Sequence, residues 1–169
     1  MPRRTEFQIA PVRAAADLAA VARLFEAYAA SLDVDLCFQG FAAELAGLPG
    51  KYAPPAGELF LARSQDGQAL GCIALHPLRS PEVCEIKRLY VAPTARGMGL
   101  GRALLDRVLR TAREIGYREV WLDTLPGMTE AMALYHGAGF RPIAPYYATP
   151  VHGTLFLGCQ LAPQSDDGS

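Results

Sequence analysis

The sequence predicts an α/β fold: a mixed, partly parallel central sheet with helices on both faces. The chain has 169 residues, of which 51% are hydrophobic and 20% charged, so it can bury the core of one domain. Its apolar patterns give the order β-α-α-β-β-β-α-β-α-β-β, and crossover helices between strands in the second half indicate parallel pairing. We therefore expect a single domain over residues 1–163 and a polar tail over 164–169.

The first elements in chain order are a strand over 6–12 and two helices. The first helix, over 14–31, has apolar residues at three- and four-residue steps, which form one buried stripe. The pattern breaks over 33–40 and resumes as a short helix over 41–48. The stripe of the first helix consists of Leu18, Val21, Ala22, Phe25, Ala29 and Leu32.

Three strands follow, over 58–63, 69–75 and 83–91. An Asp-Gly pair separates the first two, and this pair is a strong signal for the turn of a β-hairpin. The third strand ends before Pro93, because proline has no N–H to donate to a sheet.

The second half contains the clearest helix, over 101–115, whose apolar residues lie on one face. After it the patterns predict a strand over 119–123, a helix over 127–138 and a turn at Gly139-Phe140 that leads into a strand. A last strand is predicted over 153–161.

Composition argues against several classes of function. Sixteen Lys and Arg against seventeen Asp and Glu give a net charge of -1, whereas proteins that coat nucleic acid normally carry a basic excess. Nothing approaches the ~18 uninterrupted apolar residues of a membrane span, and the start has no signal-peptide core. The cysteines show no C-x-x-C spacing and no histidine pair has metal-ligand spacing. We expect a cytoplasmic protein without a metal, a nucleic-acid partner or a membrane partner.

A glycine-rich turn precedes the clearest helix. Gly97, Gly99 and Gly101 alternate there, so backbone N–H groups can point into one concavity beside the positive end of the helix dipole. Arg96 and Arg102 add positive charge. This pattern indicates a phosphate site; a turn that serves only chain reversal is the alternative.

Two familiar nucleotide motifs do not fit this turn. A Walker A loop ends in Gly-Lys-Ser/Thr, whereas this sequence continues Gly-Arg-Ala and lacks the hydroxyl that binds magnesium. A dinucleotide fingerprint needs a third glycine where Arg102 stands.

The turn does fit the pattern R/Q-x-x-G-x-G/A, with Arg96, Gly99 and Gly101 in the defining places. It resembles the coenzyme A pyrophosphate loop of the GNAT superfamily of N-acetyltransferases. The strand 85–91 that leads into Pro93 is similar to the corresponding strand of that family. Residues 131–140 resemble its A-x-x-L-Y-x-x-x-G-F ending.

The order of elements is also that of the acyl-CoA N-acyltransferase (GNAT) fold, and the resemblance covers roughly residues 6–161. Segments 122–126 and 145–147 are similar to a bacterial branch of the superfamily with poorly defined acceptors. The resemblance implies acetyl transfer from acetyl-CoA to a primary amine by direct attack in a ternary complex, without a metal. It leaves a small-molecule or a peptide acceptor open, and a homodimer is compatible with it.

The resemblance also implies which residues contact the cofactor, through the end of one strand and the glycine-rich turn. These residues are Leu89, Tyr90, Val91, Arg96, Gly97, Met98, Gly99, Leu100, Gly101 and Arg102. One departure is Met128, which stands where many members have a cofactor-contacting asparagine, so that contact is lost or replaced.

Two residues are candidates for proton transfer. Tyr135 aligns with the tyrosine that the family uses as general acid toward the departing thiolate; packing in an apolar stripe is the alternative. Glu85 occupies a place where several members carry a base, and if burial dominates, its pKa lies above the ordinary value. The alternative for Glu85 is an ion pair with Lys87, on the same strand face, or with an arginine.

The acceptor is expected to meet Asp35 and Phe38, in the break between the first two helices, and Tyr146 in a late aromatic loop. Carboxylates beside aromatic rings suit a cationic or aromatic amine. A solvated loop with hydrophobic anchors is the alternative. No role is assigned to any of the three histidines. Two rival functions are a catalytically silent acyl-CoA sensor and a partner-binding protein on the same scaffold.

Overall fold

The structure is a computed structural model that describes residues 6–32, 35–36 and 40–162. Strands and helices follow one another in the predicted order. They are β1 (Phe7–Pro11), α1 (Ala15–Ser31), α2 (Phe41–Ala46), β2 (Glu58–Ser64), β3 (Ala69–Pro77), β4 (Val83–Val91), α3 (Leu100–Ile115), β5 (Glu119–Thr124), α4 (Thr129–Gly137), β6 (Arg141–Pro142) and β7 (Leu155–Gln160).

Some predicted boundaries differ from the observed ones. Helix α2 ends two residues early, at Ala46, before a short 3-10 turn over Gly50–Tyr52. Helix α4 begins at Thr129 and not at residue 127, because the N–H of Met128 donates to the carbonyl of Leu125 in a preceding turn. The predicted tail 164–169 lies outside the described residues, and the single domain over 1–163 stays a prediction.

The seven strands in the described part of the chain form one sheet in the order β1-β2-β3-β4-β5-β7-β6. The pair β4–β5 is parallel and the other neighbours are antiparallel, which confirms the mixed, partly parallel sheet. The crossover between the parallel strands is α3, as the sequence pattern requires.

Each face of the sheet carries its own core. Helix α3 packs on one face, and its Leu104, Leu105 and Val108 are fully buried against β3, β4 and β5 residues. Helix α1 packs on the other face through Val21 and Phe25. Burying a leucine side chain of this kind stabilises the folded state by about 1.5–3 kcal/mol. No helix in the described part of the chain is long and apolar enough to cross a membrane.

The parallel pair separates early, and this separation positions the candidate site. Strand β4 pairs with β5 only from Val83 to Glu85, opposite Glu119 to Trp121, although both strands continue further. Beyond that point a gap opens between them.

A β-bulge lies where β4 leaves β5. On the β3 side, Cys72 is paired with Tyr90 and Ala74 with Lys87, so two β4 residues face one β3 residue. One of the two is Arg88, with φ of 64° in the left-handed region. A bulge bends its strand, and this one lies in the part of β4 that does not pair with β5.

Arg88 is held from the α1 face of the sheet. Its guanidinium is buried and donates to both carboxylate oxygens of Glu44 in α2, at 2.9 Å (Nε) and 3.2 Å (Nη2). It also stacks over the rings of Tyr28 and Phe41, at 5.9 and 5.2 Å from their centroids. The bulge is therefore tied to both helices of that face.

Candidate active site

The glycine-rich turn has the geometry of an anion site. Gly97 and Gly99 have φ of 82° and 78°, conformations that glycine adopts without steric cost. Gly99 is the N-cap of α3, and no atom lies within 4 Å of a Cβ placed on Gly97 or Gly99, so that side of the turn is open to a ligand. Free N–H groups and the positive end of a sixteen-residue helix therefore face one opening.

This opening, the glycine-turn cleft, encloses about 450 Å³ and continues as a second cleft. Its walls are the turn itself, Val91 of β4 and residues of α4. The second, the strand-end cleft, shares Val91, Arg96 and Gly101 with it and runs along the end of β4 to Leu89 and Met128. The shared residues make one continuous groove, whose shape suits a long ligand with a phosphate end.

The strand-end cleft leads into a narrow cavity of about 40 Å³ in the gap between β4 and β5. Leu89 and Met128 line both spaces. The narrow cavity also receives Tyr135 from α4 and, from the other face of the sheet, Lys87 and Asp123. The gap thus forms a passage through the sheet.

A fourth space, the aromatic cavity, adjoins the passage and encloses about 480 Å³. It shares Lys87 and Tyr147 with the narrow cavity. It opens on the α1 face, because Glu85 and Lys87 alternate with Ile86, which belongs to the core under α3. Its other walls are Lys51, Leu78, Arg79, Ser80, Val83, Trp121, Tyr146 and Ala148.

The predicted cofactor residues fall along this groove, with two qualifications. The side chains of the turn and of the β4 end line the clefts, but Leu100 is fully buried in the core, so only its backbone is available. The side chain of Met98 is exposed and is not among the residues that line the four spaces. Met128 caps α4 and accepts a weak hydrogen bond from Thr124, at 3.9 Å from Oγ1 to Sδ.

Tyr135 lies buried in the wall of the narrow cavity. Its ring packs against Phe140 at 5.7 Å between centroids. Among the described residues, none forms a hydrogen bond with its hydroxyl, which is unusual for a buried tyrosine. Burial raises the pKa of Tyr135, and the nearby Asp123 raises it further, so the hydroxyl carries its proton at neutral pH.

Glu85 is buried and fully engaged. One oxygen lies 2.7 Å from Nε2 of His76 and 3.8 Å from Nζ of Lys87, and the other accepts a hydrogen bond from the Tyr146 hydroxyl. Burial alone would raise the pKa of Glu85, but the hydrogen bond from His76, the charge of Lys87 and the hydrogen bond from Tyr146 together lower it below its ordinary value. The expectation of a raised pKa is wrong, and the ion pair with Lys87 is present.

Two important residues escaped the sequence analysis. His76 lies directly opposite Glu85 on the neighbouring antiparallel strand, and only the register reveals that contact. Asp123, near the end of β5, accepts a hydrogen bond from Lys87 at 3.1 Å and another from the Tyr147 hydroxyl. A carboxylate at the carboxyl end of an apolar strand that belongs to a parallel pair was the available signal.

The acceptor residues have mixed outcomes. Tyr146 lines the aromatic cavity, and its contact with the acceptor stays a prediction. Asp35 is exposed and is not among the residues that line the four spaces, while Phe38 lies outside the described residues. Within the described part of the chain, no cluster of three His, Cys, Asp or Glu side chains could hold a metal ion.

The mixed seven-strand sheet with helices on both faces is the acyl-CoA N-acyltransferase fold. The sequence profile of the Acetyltransferase (GNAT) family matches residues 22–140. The chain therefore belongs to the GNAT family of N-acetyltransferases.

Individual relatives agree with this assignment. An uncharacterized N-acetyltransferase of Schizosaccharomyces pombe is 36% identical over 162 residues, which cover 96% of this chain and 99% of the relative. A GNAT-family acetyltransferase of Staphylococcus aureus superposes with a TM-score of 0.77 at 20% identity, over 92% of this chain and 99% of that one. A Salmonella typhimurium protein with its cofactor acetyl-CoA gives a TM-score of 0.68 at 20% identity, over 97% and 99%. At these identities, the two solved structures establish the shared fold.

Proposed function

We propose that this protein transfers an acetyl group from acetyl-CoA to a primary amine by direct attack within a ternary complex. The observation that supports it is the continuous path from the glycine-turn cleft, through the gap between β4 and β5, to the aromatic cavity. The two ends of this path lie on different faces of the sheet, so two substrates can enter separately and meet in the gap. The cytoplasm and a homodimer stay predictions of the sequence.

The chain offers distinct groups to each part of acetyl-CoA. The N–H groups of the turn and of the first turn of α3 would bind the pyrophosphate, with charge from Arg96 and Arg102. The backbone of Leu89, Tyr90 and Val91 would bind the pantetheine arm along the strand-end cleft. Acetyl-CoA supplies the activated acetyl group.

Tyr135 is proposed as the general acid. Its hydroxyl is buried, keeps its proton at neutral pH and is free of hydrogen bonds to the described residues, so it can donate to a thiolate in the gap. This free hydroxyl also favours an active enzyme over a silent acyl-CoA sensor, because a purely structural buried tyrosine normally has a partner.

Removal of the amine proton is proposed for Glu85. A free alkyl amine has a pKa of about 10, so at neutral pH it needs help to become nucleophilic. Glu85 is ionised and lies in the wall of the aromatic cavity, where it can accept the proton or relay it through the Tyr146 hydroxyl. Asp123 is a second carboxylate, in the wall of the narrow cavity itself.

The experiment that tests the proposal is thiol release from acetyl-CoA across a panel of primary amines, with mass spectrometry of the acetylated product. We expect release that depends on both the enzyme and an amine. A silent sensor would instead bind acetyl-CoA in calorimetry and release no thiol with any amine.

A further inference from the structure

The aromatic cavity is lined by more cations than carboxylates. Lys51, Arg79 and Lys87 line it, against Glu85 as the one acidic side chain among its lining residues. One wall of the cavity is aromatic: the rings of Trp121 and Tyr146 pack against each other, 5.0 Å apart between centroids. This composition differs from the carboxylate-rich acceptor site that the sequence suggested.

The carboxylates near this cavity are already satisfied. Glu85 is engaged by His76, Lys87 and Tyr146, as described above. Asp123 is engaged by Lys87 and by the hydroxyl of Tyr147. A cationic part of a ligand would therefore have to displace an existing bond to find a negative partner.

The carboxylate of Glu44, which lies near Lys51, is also fully hydrogen-bonded. Both of its oxygens accept hydrogen bonds from Arg88, and Oε1 also accepts one from the Tyr52 hydroxyl at 2.9 Å. The remaining contact of Glu44, with Nζ of Lys51, is long at 3.7 Å. Lys51 thus has a long ion pair with Glu44 but no hydrogen bond to it.

The two outer cations have unused donors. Burial lowers the pKa of Lys51, and the charges of Lys87 and Arg88 lower it further, against the opposing charges of Glu44 and Glu85. Since the pKa is lowered overall, an added negative group beside Lys51 would stabilise its charge. Arg79 is exposed and makes no hydrogen bond or ion pair with any residue that the structure describes. Lys51 and Arg79 both line the aromatic cavity, whereas neither lines the narrow cavity.

We propose that the acceptor is an amine that also carries a carboxylate, joined by an apolar or aromatic linker. Its amine lies where the narrow and aromatic cavities meet, beside Lys87, which contacts both Glu85 and Asp123. Its linker packs against the rings of Trp121 and Tyr146, and its carboxylate binds Lys51 and Arg79. The two cavities meet at Lys87 and Tyr147, so one small molecule can occupy both. This inference rests on the proposed function, because it places the reacting amine in the gap.

A matched pair of acceptors tests the proposal. 4-(Aminomethyl)benzoate and 4-(aminomethyl)benzamide have similar size and a remote, similarly basic amine, but only the first has a carboxylate. We expect kcat/KM, from thiol release, to be about tenfold or more higher for the acid, an order of magnitude set by one well-placed ion pair. A preference for the amide, or no preference, would overturn the proposal while leaving the transferase function intact.

Two variants connect the preference with the named residues. In Lys51→Met the ratio of kcat/KM for acid over amide should fall about tenfold, and in Arg79→Met it should fall less, because Arg79 is more solvated. Arg110→Met is the matched control, since Arg110 is exposed on α3 and its one ion pair with a described residue is with Glu114. An unchanged ratio in both cavity variants would contradict the assignment.

A binding measurement covers the case of a silent protein. Calorimetry with the unreactive products, 4-(acetamidomethyl)benzoate and its amide, in the presence of coenzyme A needs no turnover. Tighter binding of the acid that weakens in Lys51→Met supports the carboxylate site even if no thiol is released. Equal binding of both products rejects that site.

Discussion

The glycine-turn cleft and the aromatic cavity, at the two ends of the path, are built in different ways. The glycine-turn cleft depends on backbone N–H groups from one contiguous segment, 96–102, at the start of α3. The aromatic cavity depends on side chains from β3, β4, β5 and the segment 143–154 between β6 and β7. The glycine-turn cleft depends on the backbone of one short segment, so few substitutions in that segment are tolerated. The aromatic cavity depends on contacts between distant parts of the chain, and each of its side chains can be substituted separately.

This contrast matches the requirements of the two ligands. A site for a common cofactor can be made from main chain, which every sequence has, provided that glycines allow the turn. A site for a particular acceptor needs side chains, because side chains supply the charge and shape that distinguish one acceptor from another. Changes at the cofactor end should therefore affect all acceptors alike, and changes at the aromatic end should depend on the acceptor.

The largest expected effect is at the passage between the two ends. Tyr135→Phe keeps the packing against Phe140 and removes only the hydroxyl, so turnover should fall by about 10²-fold or more while coenzyme A affinity stays the same. Steady-state kinetics and calorimetry measure the two quantities. Tyr117→Phe is a matched control, because the Tyr117 hydroxyl donates to the carbonyl of Ala56 and neither residue lines the narrow cavity. Wild-type turnover in Tyr135→Phe would make Tyr135 a packing residue.

A smaller effect is expected at the aromatic end. Glu85→Gln should lower the rate at neutral pH by about tenfold or more, because the carboxylate that takes the proton is gone. Since its interactions lower the pKa of Glu85, the carboxylate is ionised throughout the neutral range, and the rate of both enzymes should rise with pH only as the amine deprotonates.

Asp123→Asn separates the two carboxylates. If Glu85→Gln keeps the wild-type rate and Asp123→Asn loses it, Asp123 is the proton acceptor and Glu85 a structural partner of His76 and Lys87. The pH–rate profile of both variants on one amine of high pKa distinguishes these outcomes.

At the cofactor end, Gly99→Val should weaken coenzyme A binding by about tenfold, equally for every acceptor. The variant strains a residue with φ of 78° and places a side chain in the open mouth of the turn. Gly67→Val is the matched control: it has φ of 89° and open surroundings in the β2–β3 hairpin, and it is not among the residues that line the clefts. Calorimetry in which both variants bind equally well would remove the phosphate assignment.

The smallest expected effect concerns stability. The pKa of Glu85 is lower in the folded protein than its ordinary value of 4.5, so the ionised form stabilises the fold above that pH. This contribution should disappear as the pH falls from about the ordinary value through the lowered one. Chemical denaturation should therefore show that the stability difference between wild type and Glu85→Gln shrinks in acid. A difference that stays constant from neutral to strongly acidic pH would contradict this.

The same contrast explains what could be predicted from the sequence. Helix α3 and strand β4 were found almost to the residue, because their apolar periodicity and the following glycine or proline are local signals. The glycine-rich turn was found for the same reason. Each of these features lies within a few residues of its own signal.

The aromatic cavity could not be predicted in this way. His76 meets Glu85 through strand register, and Tyr146 reaches the same carboxylate from 61 residues away along the chain. The lowered pKa of Glu85 follows from those contacts, so burial alone gave the wrong direction. The bulge in β4, beside the gap between β4 and β5, also has no signal in the sequence of that strand.

The two openings on different faces of the sheet have a kinetic consequence. Neither substrate has to pass through the entrance of the other, so their order of addition should be random and initial-rate plots should intersect instead of running parallel. Free coenzyme A can remain in its groove while a new acceptor enters from the other face. The resulting unproductive complex should appear as substrate inhibition by the acceptor, strongest when coenzyme A accumulates late in the reaction.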